Sequence, residues 1–176
     1  MKKLMLILLM AVTTFGAAYS QTSIAHVNTQ KVLDTMPSRM SAMKELENFE
    51  RRAVKELQET QQKLQADYSK LQQEKPTMSP TAFKFEEERL MKKSQEFQTR
   101  QQELDEQIQI LSQELNAPIL KTVQDAIAKV CKAEKINYVI DESSLLYSGG
   151  RDITTIVVKE VLEMEKAAAA KATSGE

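Results

Sequence analysis

The sequence predicts a mostly helical α+β protein in which a long antiparallel coiled-coil hairpin is inserted into a small β-containing body. Three observations lead there. The 176 residues hold four glycines, four prolines, no tryptophan and only nine other aromatics, with Glu, Lys, Gln, Leu and Ala dominant, which is the composition of long helices. Apolar residues recur at intervals of seven through most of residues 43–115, the spacing of a coiled-coil seam. Pro76 and Pro80 interrupt that run in its middle, where a continuous helix does not tolerate them.

The chain opens with Lys2 and Lys3, an apolar stretch from Leu4 to Phe15, and small residues at Ala18 and Ser20. This is the layout of a secretory signal peptide over residues 1–20, with cleavage expected after Ser20. The apolar stretch is shorter than the ~20 residues of a membrane span. Removing it takes two lysines from 24 basic residues and leaves 22 against 25 acids, a net charge of −3. So mild an imbalance, without a clustered basic face, argues against a nucleic-acid partner.

The body is expected from residues 21–40 together with 116–165. Ile24 to Asn28 alternates as a short strand with His26 at an edge of the body. Asn28 or Thr29 caps a brief helix carrying Val32, Leu33 and Met36, which Pro37 ends. Ser38 then caps a helix with no reason to stop before Glu74.

Residues 41–115 form the arm, with its tip at 75–80. Ser79 followed by Pro80 is an N-cap and first-turn pair. The returning helix carries the seam Phe83, Leu90, Phe97, Leu104 and Leu111, with Ile108 as companion. The outgoing helix carries Met43, Leu46, Ala53, Leu57, Leu64 and Leu71. If the two zip together about Thr77, Leu71 faces Phe83, Leu64 faces Leu90, Leu57 faces Phe97 and Leu46 faces Ile108, all with numbers summing to 154. Glu50, Thr60, Ser94 and Gln101 also lie on this seam, so the arms should stay paired yet able to splay.

Past the arm, Asn116-Ala117-Pro118 predicts a kink or break. Ile119, Val123, Ile127 and Val130 then share a helical face. Strands are expected at 136–141 and 145–147, and a last helix capped by Asp152 presents Ile153, Val157, Val161 and Met164. Residues 166–176 lose the apolar pattern and are expected to fray. Three short strands with free edges make a poor core for one chain, so the body should oligomerise.

Little in the chain points to catalysis. His26 is the one histidine, and no glycine-rich phosphate loop, nucleophile elbow or histidine pair at metal spacing is present. Glu86-Glu87-Glu88 and Asp105-Glu106 are consecutive helical residues about 100° apart, so they do not converge on one ion. No enzyme and no cofactor are expected. Cys131 is the lone cysteine, read either as a small apolar helix residue or as an intermolecular bridge. Tyr68, Met78, Phe85 and Met91 stand off the seam near the tip and are candidate contacts for a bound polypeptide. Met in particular suits indiscriminate apolar surfaces.

Ile24-Ala25-His26-Val27-Asn28 with Lys31-Val32-Leu33, Tyr138-Val139-Ile140-Asp141, Leu146-Tyr147, and Asp152-Ile153-Thr154 leading to Val161-Leu162 stand in order around the hairpin. In this the chain resembles the Skp/OmpH family of periplasmic chaperones over essentially its whole mature length. The resemblance implies a homotrimer with a shared β body and three arms around a cavity, which holds unfolded outer-membrane β-barrel proteins without ATP. Localisation in the periplasm follows, with transient contact at the membrane surface allowed. One departure stands out: residues 39–115 carry 13 basic against 15 acidic side chains, a net of −2. Well-known members are strongly basic, so lipopolysaccharide binding is not expected here. The rival reading is a structural coiled-coil adaptor or spacer of the cell envelope, which would bind one folded partner where a holdase binds many unfolded barrels.

Overall fold

A computed structural model describes residues 23–174; the expected signal peptide lies outside them. The elements run β1 (Ile24–Val27), α1 (Thr29–Asp34), α2 (Pro37–Glu74), a 3-10 turn (Lys75–Thr77), α3 (Pro80–Glu134), β2 (Tyr138–Asp141), β3 (Arg151–Asp152) and α4 (Thr154–Ser174), with a second 3-10 turn at Glu142–Ser144. Caps set several boundaries. The Asn28 side chain accepts the Lys31 backbone N–H at 2.8 Å and starts α1, as a short polar side chain does at an N-cap. Ser79 accepts the Ala82 N–H at 3.2 Å at the head of α3. The helix expected from Ser38 begins instead at Pro37, whose fixed φ and missing N–H suit a first-turn position.

The sheet has β1 in the centre, parallel to both neighbours, in the order β2-β1-β3. Ala25 and Val27 point to one face, where Val32, Met36, Ile119 and Val123 close over them. Val157 and Val161 of α4 complete that core and are fully buried. Three placements differ from the expectations above. His26 lies on the central strand, not at an edge, because β1 pairs on both sides; it is 7% exposed. On α3 Ile127, expected to face the core, is only partly buried, and Ala126 beside it, which the expected face left out, is fully buried.

The third difference is the strand expected at Leu145–Tyr147. The Asp141 carboxylate accepts the Ser143 N–H at 2.8 Å and turns the chain out of β2, leaving Leu146 and Tyr147 exposed. The third strand is the polar pair Arg151–Asp152, which docks on the free edge of β1 opposite Ala25 and His26. Its strand character comes from that ladder, and no apolar alternation marks it in the sequence.

Neither a break nor a helix end occurs at Pro118: α3 runs unbroken through it to Glu134. Proline costs about 3 kcal/mol inside a helix. Here it is exposed, while Ile119 and Val123 just beyond it are buried in the body, and their burial offsets the lost backbone bond. The arm and the body are thereby joined by one continuous helix. Residues 166–174 continue α4 as helix, consistent with the high helix propensity of the run Ala167–Ala170.

Candidate functional site

The hairpin dominates the molecule. At 1.5 Å per residue, the 38 residues of α2 and 55 of α3 make rods of roughly 57 and 80 Å. Ala53, Leu71, Leu90 and Leu104 are the buried residues of the arms, and Leu46, Leu57, Leu64, Phe83, Phe97, Ile108 and Leu111 are half-buried, whereas Met43, expected on the seam, is exposed. A seam half open to water along much of its length holds the helices together without forming a deep core.

The register differs from the expected one. Asp67 accepts from Lys93 Nζ at 2.8 Å, Glu56 from Arg100 Nε at 2.7 Å, and the Lys75 ammonium sits 4.8 Å from the Phe83 ring centre. Those pairs have numbers summing to 160, 156 and 158 rather than 154. The arms are therefore slid by about one helical turn. The cause is the 3-10 turn at Lys75–Thr77, which continues the helical path past Glu74. The backbone becomes extended only at Met78 and Ser79, so the reversal falls there and not at Thr77.

The two flanks of the hairpin are chemically different. One carries the cross-arm ion pairs: Arg100 holds the Glu56 carboxyl below its ordinary range by hydrogen bonding, and Lys93 does the same to Asp67. An open groove of about 330 Å³ runs along it, lined by Lys63, Leu64, Asp67, Lys93 and Phe97 among others. On the other flank, the rows that directly follow the seam hold Val54 and Tyr68 on α2 and Met91 on α3, all exposed. The structure thus separates the four candidate contacts. Tyr68 and Met91 share a flank, Phe85 lies on the side of α3 away from the seam at 65% exposure, and Met78 is half-buried in the tip. Val54 and Met40 were missed by sequence reading, although both stand fourteen residues apart in one row with Tyr68.

In the body, Cys131 packs partly against the core, and burial raises its thiol pKa. Asp152 accepts the Thr154 N–H at 2.8 Å at the start of α4. His26 Nδ1 is buried without a partner among the described residues. On the open face of the sheet Ile24 faces Tyr138, and Ile140 lies beside His26; Ile24, Tyr138 and Ile140 are exposed. Among the described residues, no three His, Cys, Asp or Glu side chains are grouped to hold a metal, and no helix is long and apolar enough to cross a membrane.

A family model described as outer membrane protein (OmpH-like) matches residues 23–161, from the strand β1 through the hairpin and into the first turns of α4. The chain belongs to the OmpH-like family. The relatives of this family member include "Chaperone protein Skp" of Photorhabdus laumondii, 33% identical over 145 residues, spanning 82% of this chain and 88% of the relative. The protein of the same name from Pectobacterium atrosepticum is 32% identical over 139 residues, covering 78% and 84%. A crystal structure from Caulobacter crescentus described as OmpH-like superposes with a TM-score of 0.72 over 81% of this chain and 85% of that one, at 16% identity. That likeness places the OmpH-like fold, hairpin and sheet together, on this sequence.

Proposed function

We propose that the mature chain is an ATP-independent periplasmic holdase, which keeps unfolded outer-membrane β-barrel proteins from aggregating in a cavity between its helical arms. The observation that carries this reading is the pair of long helices whose seam is only half closed, with Tyr68, Phe85 and Met91 left in water on their shafts. An unfolded polypeptide can exchange many weak contacts along such rods without any single deep pocket. Membership of the OmpH-like family, with relatives named chaperones, supports it.

A trimer belongs to the same proposal. The sheet has two open edges, and its face away from the helices shows Ile24, Tyr138 and Ile140, with Leu146 and Tyr147 exposed nearby in sequence. Further copies would cover that apolar surface and set three hairpins around a shared space. Export through a leader ending at Ser20 would deliver the chain to the periplasm. The near-neutral arms give lipopolysaccharide no strong hold.

The test is light scattering of a β-barrel protein diluted from urea, with no nucleotide present. The reading predicts that a molar excess of the mature chain abolishes the scattering. Undiminished scattering at every ratio would reject it.

A further inference from the structure

The rows flanking the seam opposite the ion pairs carry a second regularity. On α2, Gln58, Gln65 and Gln72 stand at intervals of seven, interleaved with Val54, Gln61 and Tyr68 in the adjoining row. On α3 the matching rows read Met91, Gln95, Gln98 and Gln102. All ten side chains are exposed. Between positions 54 and 72 on one arm and 91 and 102 on the other, these rows contain no charged residue. The opposite flank over the same length holds Glu56, Lys63, Lys70, Lys93 and Arg100. In a chain that is 28% charged, these rows are free of charge over that length, while the opposite flank mixes its charges with Ala66 and Gln73.

We propose that this uncharged flank is the docking surface for one extended segment of an unfolded β-barrel protein, and that capture there is independent of charge. This rests on the holdase reading and names the surface and the chemistry it selects. A glutamine amide both donates and accepts, so a row of them can pair with the N–H and C=O groups of any extended backbone. Val54, Tyr68 and Met91 offer apolar contacts between them. The length fits: residues 54 to 72 span about 27 Å of helix, which accommodates about eight residues of extended chain at ~3.3 Å each. Strands of membrane barrels are ~9–11 residues long, and they alternate apolar with polar side chains, so an uncharged surface matches them without desolvating fixed charge.

The experiment measures binding of a fluorescein-labelled outer-membrane β-barrel protein, diluted from urea, to the full mature chain at 50 and 500 mM NaCl. The wild type should change Kd by less than threefold between the two salts. The double variant Gln61→Glu with Gln98→Glu should bind at least tenfold more weakly, and Lys63→Gln on the ionic flank should stay within twofold. Native mass spectrometry of the double variant should show the wild-type oligomer. Binding by the double variant within twofold of wild type, or loss of wild-type binding by more than tenfold in high salt, overturns the proposal. So does dissociation of the double variant's oligomer, which would make this flank a contact between copies. A wild type that binds at neither salt rejects the holdase reading itself.

Discussion

Arg100 reaches across the hairpin to Glu56, its Nε donating to one carboxylate oxygen at 2.7 Å although 44 residues of chain separate them. Its NH1 also bonds Glu103 on its own helix at 3.2 Å, so the guanidinium ties the two arms and stiffens one of them. Reversing one charge, as in Glu56→Lys, should widen the distribution of distances between spin labels on the two arms. Combining it with Arg100→Glu should narrow it again. Because both partners are solvated, high salt should produce the same widening in the wild type.

The two cores should respond differently to truncation. Met36 is completely buried in the body and Leu90 is 1% exposed on the arm. Either one changed to Ala should cost about 2–5 kcal/mol locally. Met36→Ala should lower the urea midpoint of the whole protein. Leu90→Ala should speed amide exchange along the distal hairpin while leaving the protection of β1 and α4 intact.

Lys135 ends α3 in the left-handed region, at φ 55° and ψ 40°, with its N–H bonded to the Cys131 carbonyl. A side chain pays for that conformation where glycine does not. Lys135→Gly should therefore stabilise the body by about 0.5–1 kcal/mol, read as a higher denaturation midpoint with unchanged oligomer mass.

Asp141 predicts the acid limit of the body. Hydrogen bonds from Ser143, then from Thr29, hold its pKa down at about 2, below the ~3.9 of an unfolded aspartate. A depressed carboxylate stabilises the fold fully above the unfolded value and loses that contribution as pH falls through the folded one. Asp141→Asn should be less stable than wild type at pH 7, and the difference should shrink between about pH 4 and pH 2. Urea titrations across that range measure it.

What was legible in the sequence followed from repetition. The seam from Phe83 to Leu111 repeats often enough for its period to be read without any knowledge of what it faces. The slip of register was not legible, because whether Lys75–Thr77 continues the helix is decided by a single 3-10 turn. Leu145–Tyr147 has strand composition, but the turn at Glu142–Ser144 leads it away from the sheet, whereas Arg151–Asp152 meets the edge of β1 with no composition to mark it. The break allowed for at Pro118 is absent for a similar reason: its local cost is real, and the burial of Ile119 and Val123 just beyond it is tertiary. The two-sided arm was readable in principle, since Val54, Tyr68 and Met91 each follow a seam position directly. Only the cross-arm ion pairs, however, reveal which flank they do not share.

The most direct measurement places a photo-reactive residue, one position at a time, along the arms and on the body, and exposes each protein to an unfolded β-barrel protein. The account predicts cross-links concentrated at 61, 68, 91 and 98, with few at Lys129 or Lys159 on the body helices. Cross-links confined to the body, or spread evenly over both flanks of the hairpin, would contradict it.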